Sequence, residues 1–138
     1  MNAWLNVVMP VGFLVGWLLA APEKEPQPLP KPGTVEIQGI YSSSGVIKDE
    51  QFAGVVLIMK RGELYAVRWI DGGYGVGFVD GKCLVVGFQS GQGLGCVRYQ
   101  IETDKAGRPQ LEGVWCSSPG SGEKNQEQLF FLKELEKK

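Results

Sequence analysis

The sequence predicts an all-β domain, either a small antiparallel up-and-down barrel or a strongly curled meander of about eight strands, preceded by an N-terminal apolar helix. After residue 33, short β-rich runs alternate with turn-forming residues at roughly ten-residue spacing. Glycine accounts for 20 of the 138 residues, about twice its usual share. Short links join antiparallel neighbours, because parallel strands need a long crossover. Closure of such a sheet would remove its exposed edges.

Residues 1–21 are predicted to be a signal peptide or a transmembrane anchor. No charged side chain occurs between Met1 and Glu23, and residues 3–21 are almost entirely apolar. As a helix, that run would be about 28 Å long, close to the thickness of a bilayer core. A cleaved signal peptide would lack its basic start and would place Pro22 after the cut, so an uncleaved anchor fits better. A buried helix of a larger soluble protein is the third interpretation.

Residues 22–33 contain five prolines, at alternate positions over most of the segment, and this pattern favours an extended polyproline II linker. A docking motif for SH3-like domains is the alternative for this segment. The remaining residues, 34–138, form the predicted β domain. The sequence thus divides into an apolar segment, a semi-rigid proline-rich linker and one barrel-like domain.

The predicted strands follow the runs of β-branched and aromatic residues. They cover residues 34–41, 52–60, 63–70, 74–79, 82–89, 94–103, 109–116 and 126–132, with a possible extra short strand at 44–48. Turn residues such as Arg61-Gly62 and Asp80-Gly81 separate them and suit tight hairpins.

The two-residue period of a strand assigns side chains to the two faces of the sheet. Three sets of alternate residues are predicted to point inward: Tyr65, Val67 and Trp69; Val97, Tyr99 and Ile101; and Leu111, Gly113 and Trp115. Residues 55–59 and 83–88 are apolar on both faces. Their outer faces are either covered by a loop or the C-terminal segment, or they contact another subunit, a protein or a membrane.

Composition and motifs argue against several classes of chemistry. The chain has no histidine, so it lacks the commonest general base and the commonest metal ligand. Its net charge of −1 disfavours a nucleic-acid partner. The glycines at 73, 75 and 77 precede a strand pattern rather than the helix that a phosphate-binding loop needs. We therefore expect no enzyme activity, no cofactor and no metal.

The three cysteines are Cys83, Cys96 and Cys116, and no pair has the CxxC spacing of a zinc or redox motif. Their odd number leaves at least one thiol unpaired within a monomer. Either all three are small buried side chains, or two form a disulfide and one stays free.

The spacing of several strand residues resembles a family of small exported bacterial proteins, some of which are labelled fibronectin-binding. The pattern consists of Tyr65-x-Val67-x-Trp69, Gly75-x-Gly77, Leu84-x-Val86, Val97-x-Tyr99-x-Ile101 and Leu111-x-Gly113-x-Trp115. The spacing of its strands along the sequence is similar to that of calycin-like barrels such as avidins and lipocalins. In the family, a Gly-x-Glu-x-Leu ending follows the last tryptophan, whereas here Gly122, Glu127 and Leu129 are spread further apart. The resemblance implies a barrel fold in a bacterial cell envelope and brings no catalytic residues.

Two functions agree with these observations. The first is a non-catalytic interaction module, anchored in the envelope or secreted, whose partners are the membrane through residues 3–21 if they are not cleaved, and a protein or second copy through the apolar strand faces. The alternative is binding of a small apolar molecule in the barrel interior or mouth. Its predicted ligand-binding residues are Tyr65, Trp69, Tyr99 and Trp115.

Overall fold

The computed structural model describes residues 35–119 and 122–136. Within them the chain forms eight strands: β1 (Gly39–Ile47), β2 (Glu50–Arg61), β3 (Leu64–Trp69), β4 (Gly73–Asp80), β5 (Cys83–Ser90), β6 (Gly93–Thr103), β7 (Pro109–Ser118) and β8 (Asn125–Lys133). No helix in the described residues is long and apolar enough to cross a membrane. The predicted N-terminal helix and the whole proline-rich linker lie outside the described residues.

The strands form a closed up-and-down barrel in which each pairs with its neighbours in sequence. The first and last strands close it, with Ser43 opposite Leu129 and Gly45 opposite Glu127. All eight pairings are antiparallel, as the short links require. The predicted all-β barrel is therefore confirmed.

Strand β1 differs from the prediction. The separate strands expected at 34–41 and 44–48 are one strand, Gly39–Ile47, and residues 35–38 are not in a strand. Ser42, Ser43 and Ser44 stay in the ladder because β2 and β8 pair with them on both sides. Turn-forming side chains are thus overridden by backbone pairing.

The barrel has two ends, which we call the mouth and the base. The turns after β1, β3, β5 and β7 surround the mouth, and the turns after β2, β4 and β6 surround the base. At the base, Ile37 is fully buried, and its carbonyl oxygen accepts a 2.6 Å hydrogen bond from the hydroxyl of Tyr41. Residue 37 therefore joins the core from outside the sheet.

The interior is a packed hydrophobic core. Its fully buried side chains come from both halves of the barrel and include Tyr41, Ile58, Val67, Leu84, Val86, Tyr99, Leu111 and Leu129. All three residue sets predicted to point inward do so, with Trp69, Ile101 and Trp115 half-buried against the core. Side chains fill a barrel of this strand number.

Strand β4 has its small residues inside and its large ones outside. Gly75 and Gly77 are buried, whereas Tyr74, Val76 and Phe78 are exposed. A Cβ atom at Gly77 would lie 2.8 Å from Val86 Cγ2, which is too close for packed carbon atoms. The glycines of the GxGxG run therefore make room for β5 inside the barrel, and this forces the apolar side chains of β4 to the surface.

Candidate binding surfaces

A carboxyl group lies inside the barrel near the mouth. Glu127, on β8, is only 6% exposed. Its Oε1 accepts a 2.6 Å hydrogen bond from the hydroxyl of Tyr99 and a 3.2 Å hydrogen bond from Nε1 of Trp69. Alternation along β8 places Glu127 on the same face as the fully buried Leu129. Two aromatic donors from β3 and β6 thus hold one carboxylate oxygen.

The protonation of this group is shifted by its surroundings. Burial raises the pKa of Glu127, hydrogen bonds from Tyr99 and Trp69 lower it, and the charge of Asp71 raises it further, with a net upward shift. Burial and the nearby Glu127 charge raise the pKa of Tyr99 well above its usual value. Tyr99 therefore stays a hydrogen-bond donor over the whole physiological pH range.

The structure brings three of the four predicted ligand-binding residues together. Trp69 and Tyr99 meet at Glu127, and Trp115 joins them through Phe88, whose ring centre lies 5.5 Å from that of Trp69 and 6.2 Å from that of Trp115. These offset contacts are typical of packed aromatic side chains. The three residues form one aromatic layer below the mouth.

Tyr65 lies apart from this layer. It pairs with Lys60 and Gly77 near the base and is 8% exposed. Burial raises its pKa, and the charge of Glu36, just before β1, acts in the same direction. Tyr65 is therefore inside the barrel as predicted, but at the end opposite Glu127.

Little open volume is present at the mouth. A cavity of about 100 Å³ is lined by side chains and turns that include Ile47, Gln92, Trp115 and Asn125. Ligand pockets are usually about 300 Å³ or larger. Nε1 of Trp115 and Oγ of Ser43 are buried and form no hydrogen bond of normal geometry within the described residues, although a weak hydrogen bond from Ser43 lowers the pKa of Glu127.

An apolar patch lies on the outside of the barrel, and we call it the outer apolar face. It comprises Tyr74, Val76, Phe78, Val85 and Leu94, on β4, β5 and β6. Leu94 is 65% exposed and Tyr74 is 56% exposed. Cross-strand pairing makes the patch continuous, since Phe78 lies opposite Val85. Contiguous patches of this kind mark interaction sites, whereas scattered apolar residues do not.

Gly87 forms the floor of a groove in this face. It lies between Val76 on β4 and Cys96 on β6, and a Cβ atom there would meet no other atom within 4 Å. The open groove above it has a volume of about 400 Å³, with Tyr74 and Leu94 among the lining residues. The missing side chain at 87 thus creates a depression large enough for a protruding apolar side chain.

Two arginines border the outer apolar face. Arg68 lies opposite Tyr74, and Arg98 lies opposite Val85. Both are exposed, and neither forms a salt bridge within the described residues, where the pairs are Lys60–Glu36 and Arg108–Asp104. Two positive charges therefore lie at the rim of the patch, and one negative charge, Asp80, lies two residues beyond Phe78 on the same face of β4.

Sequence reasoning missed Glu127 as an interior group and missed the outward side of β4. Both had a signal in the two-residue period: Glu127 is two residues from Leu129, and large apolar residues alternate with glycine over 73–78. A strand of glycines and large residues has two possible orientations. Only the packing of Val86 against Gly75 and Gly77 decides between them.

The GxGxG run, which the sequence analysis compared with a phosphate-binding loop, lies on β4. Within the described residues, no cluster of three or more potential metal ligands is present. Comparison of the chain with family models, with curated proteins and with solved structures found no match in any of the three.

Proposed function

We propose that this protein is a non-catalytic binding module of the bacterial cell envelope, and that its barrel binds a partner protein through the outer apolar face. The observation that carries the proposal is the groove of about 400 Å³ above Gly87, in the middle of exposed apolar side chains. Burial of such side chains contributes roughly 25 cal/mol per Å² of apolar surface. Covering the exposed apolar side chains of this face by a partner would therefore be favourable.

The partner segment is expected to combine an apolar anchor with acidic neighbours. The groove accepts one aromatic or branched aliphatic side chain, which is the usual central contact of an interface. Arg68 and Arg98 at the rim favour carboxylates around that anchor, because complementary charge speeds association and fixes orientation. A second copy of this chain would bring the same arginines to the contact and is therefore less favoured.

The closed sheet determines how such a partner docks. Every strand of the barrel is paired on both sides, so a partner has no free strand edge to extend. Binding must therefore use side chains on the outer surface. This agrees with a partner that inserts an anchor rather than one that adds a strand.

The envelope location is supported by the sequence before the barrel. The apolar run at 3–21 matches the length of a membrane span, and the linker at 22–33 would hold the barrel away from a membrane surface by up to ~35 Å. The resemblance to small exported bacterial proteins agrees with this location. An anchored chain and a processed, secreted chain both present the same barrel.

Selection of displayed peptides tests the proposed binding face. A random peptide library would be selected on residues 34–138, which contain all eight strands, after circular dichroism has shown a folded β protein. We expect enriched peptides with one aromatic or aliphatic anchor flanked by Asp or Glu. Phe78→Ser should weaken their binding by about tenfold or more, which corresponds to loss of a contact of about 1.4 kcal/mol in the outer apolar face, next to the residues that line the groove.

Phe130→Ser is the matched control. Phe130 is also an exposed phenylalanine on the outer surface, 39% exposed, but it lies on β8 between Ser42 and Gln110. Its loss should change affinity by less than about twofold. Peptides that bind both variants equally, or that lack acidic residues, would contradict the proposal. A stable dimer that Phe78→Ser disrupts would identify a second copy as the partner instead.

A small ligand at the mouth is the second candidate function. It is favoured by the polar atoms left without hydrogen bonds near Glu127, namely Nε1 of Trp115 and Oγ of Ser43. The cavity of about 100 Å³ would hold only a few non-hydrogen atoms, since one water takes up about 30 Å³. Such a ligand would change the fluorescence of the barrel tryptophans, and no change on titration with a library of small molecules would rule it out.

A further inference from the structure

We propose that Cys96 and Cys116 form a reversible disulfide across β6 and β7 on the outer surface of the barrel, and that Cys83 stays a free thiol. This inference is independent of the proposed function. It assigns a disulfide to two particular cysteines. The odd number of cysteines and their spacing along the chain do not show which two would pair.

The sheet register places the two thiols together. Cys96 and Cys116 are directly opposite in the β6–β7 pair, and their sulfur atoms are 3.7 Å apart. Opposite residues of antiparallel strands have Cα atoms about 4.5 or 5.5 Å apart, and disulfides span Cα separations of about 4.4–6.8 Å. Rotation of the two side chains can therefore close the bond without a change of register.

Exposure makes Cys96 accessible, although its hydrogen bond with Cys116 raises the pKa of the Cys96 thiol, and position in the sheet leaves Cys83 out of the reaction. Cys96 is exposed and Cys116 is half-buried, so an external reagent reaches Cys96 first. Cys83 lies on β5 opposite Gln100, which is four residues beyond Cys96 on the same strand β6. An exposed disulfide stays open to thiol exchange and can be reduced again.

The reaction needs a disulfide as oxidant, for example oxidised glutathione or a thiol–disulfide oxidoreductase. The thiolate of Cys96 attacks one sulfur of that disulfide, forms a mixed disulfide and releases one thiol. The thiolate of Cys116 then attacks the sulfur of Cys96, closes the protein disulfide and releases the second thiol. Two protein thiols are oxidised, one external disulfide is reduced to two thiols, and both protons end on the released thiols.

The location of the bond connects it to the outer apolar face. On the outer surface, Gly87, Cys96 and Cys116 lie side by side on β5, β6 and β7. Oxidation thus replaces two polar thiols with an apolar disulfide at the border of the groove. A partner that binds at the groove would therefore contact a different surface in the oxidised and the reduced protein.

Thiol counting on the folded full chain tests the proposal. The chain would be incubated with oxidised glutathione at a pH of about 8.5, where cysteine thiolates are present, then alkylated and weighed intact. We expect a mass loss of about 2 Da from the chain itself, one alkylatable thiol instead of three, and recovery of all three thiols after reduction.

Single variants identify the pair. Trypsin leaves Cys83 and Cys96 on one peptide, because it cuts after Lys82 and Arg98, so peptide mapping alone is not enough. Cys83→Ser should still lose two thiols, whereas Cys96→Ser and Cys116→Ser should form no internal bond. Two free thiols in oxidised Cys83→Ser, a stable glutathione adduct on its Cys96, or an internal bond in Cys116→Ser would overturn the proposal.

Discussion

Glu127 is the residue whose environment differs most from the exposed position usual for a carboxylate. It is buried beside an aromatic layer, and both of its hydrogen bonds come from aromatic side chains, Tyr99 and Trp69. Two hydrogen bonds to one oxygen only partly replace the hydration that a carboxylate loses when it is buried. This explains why the net shift of its pKa is upward.

The pH dependence of stability follows from that direction. Because the folded chain holds the proton of Glu127 more tightly than the unfolded chain, the contribution of Glu127 to the free energy of unfolding is greatest below the unfolded pKa, about 4.3. It falls as the pH rises through the raised folded pKa. We therefore expect Glu127→Gln, which has no proton to lose, to become more stable than the original chain as the pH rises from 4 to 8.

Urea unfolding of both chains across this range measures the effect, since the difference between them cancels the other titrating groups. Glu127→Ala is the companion variant: it leaves the hydroxyl of Tyr99 and the indole of Trp69 without an acceptor. It should be less stable than Glu127→Gln by about 2–4 kcal/mol at every pH, because neither variant titrates at this position. A constant difference between Glu127→Gln and the original chain would contradict a raised pKa.

At the scale of the element, β4 explains both the inside and the outside of the barrel. The glycines of β4 leave space inside the barrel for Val86 and the residues next to it. The large side chains of β4 then form part of the outer apolar face. One strand thus decides where the core ends and where the binding surface begins. A side chain added to its inner face should damage the fold, and one added to the groove should not.

Two alanine substitutions separate these roles. Gly77→Ala places a Cβ atom against the carbonyl oxygen of Val85 and 2.8 Å from Val86 Cγ2, so it should cost about 2–3 kcal/mol of stability. Gly87→Ala, one strand away, meets nothing within 4 Å and should change stability by less than about 0.5 kcal/mol. Urea unfolding followed by tryptophan fluorescence measures both. Equal costs would show that β5 does not pack closely on β4.

The elements themselves were largely predictable, and their boundaries depended on turn chemistry. Gly62 and Gly81 have positive φ angles in the hairpins where Arg61-Gly62 and Asp80-Gly81 were predicted to turn. The turn after β1 was not recognised because Lys48 and Asp49 adopt positive φ angles of 49° and 66° without a glycine. Asp is enriched in left-handed backbone but Lys is not, so without a glycine the pair is a weaker turn signal than the other hairpins carry.

At the scale of the whole molecule, an antiparallel barrel was one of two predicted architectures, and the outer apolar face was not predicted. Eight short antiparallel strands with aromatic residues on one face agree with a filled barrel and with one that holds a small ligand. The alternate residues that were predicted to point inward do so: Tyr65, Val67, Trp69, Val97, Tyr99, Ile101, Leu111, Gly113 and Trp115. Their role in ligand binding stays a prediction, because a packed aromatic layer and a pocket lining have the same sequence pattern.

The outer apolar face needed three-dimensional information for a physical reason. It joins residues from β4 and β6, such as Tyr74 and Leu94, which are neighbours only through the intervening β5. The two-residue period within one strand cannot show which residues of three different strands form a common surface. The two strands predicted to be apolar on both faces, residues 55–59 and 83–88, identified only part of it.

Chemical-shift mapping tests the central claim, that partners bind outside the filled barrel, most directly. Isotope-labelled residues 34–138 would be titrated with a peptide selected as described, and two sets of signals would be followed. We expect shifts at the backbone amides of Val76, Gly87 and Leu94, with the indole N–H signals of Trp69 and Trp115 unchanged. Shifts confined to those two indoles, with the outer strands unaffected, would place binding at the mouth and contradict the account.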